Sequence, residues 1–97
     1  MYLLISRYTA PPGRIEELVP AHREYLRRHF EAGRFVVSGR RVPWDGGVIV
    51  ARGFSREELE AAIAEDPFAQ AGVAETEVVE FELLFASAGF EPLLESL

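Results

Sequence analysis

The chain is 97 residues long, enough for one domain that buries roughly 60–70% of the surface its unfolded form exposes and folds without staples. With no cysteine it has neither a disulfide framework nor a thiolate nucleophile, and because all ten basic residues are arginine it has no lysine for Schiff-base chemistry. A formal net charge of -6 argues against a phosphate-backbone partner, and no run approaches the roughly 20 apolar residues that span a bilayer. The N-terminus also lacks the basic-then-apolar pattern of a signal peptide, so no nucleic acid, no membrane and a cytoplasmic address are the expectations.

Tyr2 to Tyr8 is short, apolar and aromatic, which predicts a strand inside a sheet. Thr9 to Gly13 breaks it, and a helix starts near Arg14. Ile15, Leu18, Val19, His22, Tyr25, Leu26, His29 and Phe30 then recur at the spacing of one helical face. Pro20 interrupts this pattern, since a mid-helix proline loses a backbone bond; the favoured reading is a kinked or restarted helix with Pro20 near its first position. His22 then falls in the first turn, where the positive end of the helix dipole disfavours a protonated imidazole and leaves a neutral His22 able to act as a base. His29 lies two turns on, about 10 Å along the axis, too far to share a metal ion with His22. It reads as helix-end packing with favourable charge at the C-terminal end, and no metal site is expected.

Gly33 is a helix-stop signal, Phe35 to Val42 a second strand, Pro43 to Gly47 a turn, and Val48 to Ala51 the returning strand of a hairpin. Ser55 with Glu58 forms a capping box that opens a second helix carrying Leu59, Ala62 and Ile63. Asp66-Pro67 ends that helix, and a short helical turn from Phe68 to Val73 precedes the longest strand, Glu75 to Phe85. There Val79, Phe81, Leu83 and Phe85 share one face, read as buried, while Glu80 and Glu82 point the other way. The order βαββαβ predicts an α+β, ferredoxin-like fold, a four-stranded antiparallel sheet with both helices on one face.

One domain over residues 1–97 is expected, with a core over 1–86 and a docking tail over 87–97. In the tail Phe90, Leu93, Leu94 and Leu97 have helical spacing but too few turns to be stable alone. The sheet face left bare by the helices carries apolar residues from Tyr2 or Leu3 onward, and Leu84, which predicts a homodimer or higher homo-oligomer built on that face.

Each candidate site residue has two readings. His22 is either a half-buried histidine satisfied by a carbonyl or water, or a general acid/base with a pKa near the operating pH. Asp66 before Pro67 is an ordinary helix cap, or the carboxylate that orients His22; both hold if one oxygen caps and the other faces the imidazole. Ser38, Arg40, Arg41 and Trp44 are surface or hairpin packing, or a second pocket wall in which Arg40 or Arg41 clamps an anionic substrate. Tyr8 is core, or a stacking partner for an aromatic ligand. Gly46-Gly47 lacks the context of a phosphate loop, and Ser38 lacks that of a nucleophile elbow.

Taken together, Pro20-Ala21-His22 with Tyr25 and Leu26, Glu31-Ala32-Gly33-Arg34 leading to Ser38-Gly39, and Asp66-Pro67-Phe68 with Ala71-Gly72-Val73 resemble the YciI-like (YCII-related) family up to about Phe85. The resemblance implies a dimeric α/β-barrel type of ferredoxin-like fold and a pocket with a His and an Asp as an acid/base pair. By position these are His22 and Asp66. Where members commonly have Ser-Gly-Pro, this chain has Ser38-Gly39-Arg40, which brings an arginine near the pocket. Most members have no assigned reaction, although a dehydrochlorinase acting on a chlorinated hydroxyquinone looks like one of them. The expectation is a lyase or isomerase that needs no cofactor and acts on a small anionic or aromatic compound. His22 and Asp66 would be catalytic, and Tyr8, Ser38, Gly39, Arg40 and Trp44 would hold the substrate. The alternative is a non-catalytic small-ligand-binding or subunit-interaction module.

Overall fold

The computed structural model describes residues 1–96. Its elements are β1 (Tyr2–Tyr8), α1 (Pro12–Glu31), β2 (Phe35–Arg40), β3 (Gly46–Ala51), α2 (Arg56–Ala64), α3 (Pro67–Gln70) and β4 (Ala74–Glu80), followed by a 3₁₀ helix over Glu91–Ser96. The strands form one sheet in the order β2-β3-β1-β4, with every neighbouring pair antiparallel. This is the α+β, ferredoxin-like arrangement that the order of elements predicts. No helix among the described residues is long and apolar enough to cross a membrane.

Side chains alternate across β1, and the alternation decides the two faces of the sheet. Tyr2 and Leu4 are buried against the helices, together with Tyr25 of α1, Phe35, Ala51 and Phe54, and Leu59 and Ala62 of α2. A second, smaller cluster of Ile15, Phe68 and Val73 joins the start of α1 to α3. Leu3 and Ile5 point to the opposite, helix-free face, where their cross-strand partners are Val50, Val48 and Val79. Val37, the partner of Val50, extends this apolar strip to the edge strand and is exposed.

The capping signals act as read. Ser55 Oγ accepts from the Glu58 N–H at 3.1 Å while Glu58 Oε1 accepts from the Ser55 N–H at 2.9 Å. Gly33 takes a left-handed φ of 74°, and the next amide, Arg34 N–H, returns to the His29 carbonyl at 3.1 Å.

Four expectations are corrected. First, α1 is a single helix through Pro20 and does not restart there. Glu16, whose carbonyl the missing N–H would have bonded, lies with Pro20 on the exposed side, within reach of solvent. His22 is therefore mid-helix, and the helix-start argument for its neutrality fails.

Second, Gly46 and Gly47 belong to β3 rather than to the turn, and β2 stops at Arg40 instead of Val42. A Cβ on Gly46 would sit 1.9 Å from the Ser6 carbonyl oxygen, so only glycine lets β3 approach β1 here.

Third, β4 ends at Glu80 rather than Phe85. Strand β1 begins at Tyr2, and the last bond available is Phe81 N–H to the Met1 carbonyl at 2.9 Å. Val78, paired with Leu4, faces the helices, so Val79 and Phe81 lie on the open face, while Leu84 and Phe85 are exposed beyond the sheet. Tyr2 likewise belongs to the helix-covered side.

Fourth, the tail winds as a 3₁₀ helix, with Leu93 and Leu94 partly covered; Leu97 lies outside the described residues.

Candidate functional site

A cleft of about 190 Å³ opens between the helix-facing side of the sheet, the middle of α1 and the junction of α2 with α3. One aromatic ring fits such a volume, since a benzene-sized cavity is about 150 Å³.

His22 enters the cleft from α1, one turn before the buried Tyr25. Asp66 enters from the opposite side, because Pro67 ends α2 and makes Asp66 the cap of α3. The Phe68 N–H donates to Asp66 Oδ1 at 3.0 Å, and His22 Nδ1 lies 2.8 Å from that same oxygen. A single oxygen therefore does both jobs, instead of one oxygen for each. A carboxylate only accepts, so Nδ1–H is the donor and Nε2 of a neutral His22 keeps its lone pair. Both side chains are largely covered, 20% and 18% exposed. The imidazole stacks on Phe68, ring centres 4.1 Å apart and planes 15° from parallel. Beside it, Tyr25 donates its hydroxyl to the Ala62 carbonyl at 2.8 Å, tying α1 to α2. Burial, then the nearby charges of Asp66 and Glu65, push the Tyr25 hydroxyl well above its ordinary value, so it remains a donor.

The other wall comes from β1 and the β2–β3 hairpin. Trp44 Nε1–H donates to the Tyr8 hydroxyl at 2.9 Å, and the two rings meet edge to face at 5.8 Å. The Arg40 guanidinium lies 4.2 Å over the Trp44 ring. Arg41 is held elsewhere, its Nε 3.0 Å from Asp45 Oδ1. Tyr8, His22, Ser38, Gly39, Arg40, Trp44 and Asp66 all line this one cleft.

Ser6, Arg23 and Thr76 line it too and were missed. Thr76 and Ser6 are cross-strand partners on the helix-facing side, and the Ser6 hydroxyl bonds both the N–H and the carbonyl of Gly47. Alternation in β4, where Thr76 lies between Glu75 and Glu77 and shares a face with Val78, is the available signal. Arg23 follows His22 on α1, off the apolar stripe that the helical spacing marks.

His29 stands apart, packed against Tyr25, Phe35 and Phe54, with Glu65 at 3.8 Å. Its packing role matches the expectation, but its charge does not. Burial is the largest influence and lowers its pKa below the ordinary histidine value despite Glu65. Among the described residues no group of three or more His, Cys, Asp or Glu side chains is arranged to hold a metal ion.

The sequence matches the model of the YCII-related domain over residues 1–82. The chain belongs to the YCII-related family. The fold of this YCII-related domain is shared with 5-chloro-2-hydroxyhydroquinone dehydrochlorinase from Burkholderia phenoliruptrix AC1100, solved in complex with 2,5-dihydroxybenzoquinone. The TM-score is 0.70 at 22% identity, over 84% of this chain and 94% of that one. No curated protein sequence matches it.

Proposed function

We propose that this YCII-related protein is an acid–base enzyme, a lyase or isomerase acting on a small one-ring compound, in which His22 moves the proton and Asp66 orients and compensates it. The observation that carries this is the 2.8 Å bond from His22 Nδ1 to Asp66 inside the cleft. With Nδ1 so engaged, Nε2 is the nitrogen that takes a proton from the substrate, and the imidazolium formed sits against a carboxylate.

In an elimination the former C–H pair becomes the new double bond, and the leaving group departs with its bonding pair as an anion. In an isomerisation the same nitrogen returns the proton to another carbon. No step calls on a cofactor. Tyr8 and Trp44 stack against the ring, and Ser38, Gly39 and Arg40 line the same cleft as His22. That the dehydrochlorinase with this fold binds a dihydroxybenzoquinone supports a hydroxylated or otherwise anionic aromatic substrate.

The test is turnover of a panel of chlorinated hydroxyquinols, quinones and halogenated aromatic acids. His22→Ala is expected to lower kcat/KM by about 10²- to 10⁴-fold. Ligands that bind wild type and His22→Ala alike, and that neither protein changes, would instead establish a non-catalytic binding module.

The working form is a homodimer joined through the helix-free sheet face. Leu3, Ile5, Val37, Val48, Val50 and Val79 form a continuous apolar strip there, a kind of surface that monomers rarely leave bare. Light scattering at micromolar concentration is expected to give twice the chain mass, and a strict monomer would refute it.

A further inference from the structure

Ring contacts run unbroken along the cleft wall from Arg40 to His22. The guanidinium covers Trp44 at 4.2 Å, Trp44 meets Tyr8 at 5.8 Å, Tyr8 meets Phe68 edge to face at 5.6 Å, and Phe68 stacks on His22 at 4.1 Å. Trp44 cannot turn away without breaking its bond to the Tyr8 hydroxyl, so the surface on which Arg40 rests is held in place. A cation prepared in this way loses little freedom on meeting an anion.

The charges at this cleft run against those of the whole chain. There are 16 acidic residues to ten arginines, and Arg14, Arg27, Arg34, Arg41 and Arg56 each pair with an acid. Arg40 and Arg23, the two cations lining the cleft, have no carboxylate partner among the described residues. Asp66 is the one carboxylate of the lining, and its Oδ1 already accepts from two donors. An acidic protein thus carries a net positive cleft walled by aromatic rings. Guanidinium groups bind planar anions in bidentate fashion, and aromatic faces bind rings.

We propose that the cleft selects a monocyclic aromatic anion whose acidic group sits on Arg40 and whose reacting position faces His22, so that Arg40 sets the substrate class. The pose rests on the acid–base reading above; the anion preference is a property of binding and is measured without turnover.

The experiment is calorimetry of the full chain with three probes: benzoate, its neutral counterpart benzamide, and the non-aromatic cyclohexanecarboxylate. Wild type is expected to prefer benzoate over each of the others by about tenfold or more. Arg40→Gln should abolish the preference over benzamide, and Arg41→Gln, which alters a pair outside the cleft, should keep it. His22→Gln should also keep it while losing turnover, which separates failure of this proposal from failure of the acid–base reading. Equal binding of benzoate and benzamide by wild type overturns the proposal. So does a preference that survives in Arg40→Gln, or no detectable benzoate binding at millimolar concentration. Equal binding of cyclohexanecarboxylate overturns its aromatic half.

Discussion

Asp66 gives one oxygen to two donors, the Phe68 amide and His22 Nδ1, and substitution separates what each bond does. Asp66→Asn keeps an oxygen for both donors but loses the charge that balances an imidazolium. Stability is expected to stay within about 0.5 kcal/mol of wild type, while kcat/KM falls about 10²-fold or more. Asp66→Ala also removes the cap and is expected to cost a further ~1 kcal/mol in urea denaturation.

His29 yields a pH prediction of a different kind. Its folded pKa lies below the unfolded value of about 6.5. Above that value the residue is neutral in both states and contributes nothing. As pH falls through it, the unfolded chain takes up a proton that the folded one refuses, and stability declines. Wild type is therefore expected to lose more stability than His29→Leu between about pH 7 and pH 5 in urea titrations; parallel curves would refute it.

At the scale of elements, α1 tests how a helix tolerates proline. An exposed interior proline lowers helix stability by up to about 3 kcal/mol relative to alanine, partly offset by its stiffening of the unfolded chain. Pro20→Ala is thus expected to raise the unfolding free energy by about 1–2 kcal/mol and to leave His22 and its bond to Asp66 in place, because the helix already runs through this position. Local sequence rules were sound where the signal was local, as at Ser55 with Glu58, Gly33 and Asp66-Pro67. They failed where a neighbour decides. The end of β4 depends on where β1 begins, and the inclusion of Gly46 in β3 depends on the Ser6 carbonyl that its bare Cα meets. Of the cleft, the residues carried by short motifs or by striking chemical type were legible. Thr76 is readable from the alternation in β4, but its meeting with Ser6 is not, because only cross-strand register brings the two together.

For the molecule as a whole, the ferredoxin-like fold was readable from the order of elements alone, since few packings bury two helices and four strands in that order. The proposed association of copies rests on the apolar surplus of the open face. Val50→Glu places a charge amid the open-face strip, across from Leu3, while its backbone stays in β3. It is expected to halve the mass seen by light scattering and to leave the far-ultraviolet circular dichroism unchanged. A dimer that persists would move the interface elsewhere.

The approach of Gly46 to β1 reaches further than the sheet. It draws the hairpin in so tightly that the Tyr8 N–H bonds the Asp45 carbonyl at 2.8 Å, one residue after Trp44. The loop bearing Trp44 is thereby tied to β1 by backbone as well as by side chain. A ligand of the proposed kind would therefore meet a wall already in place, and its association is expected to quicken with the charge of Arg23 and Arg40 and to slow as salt is added.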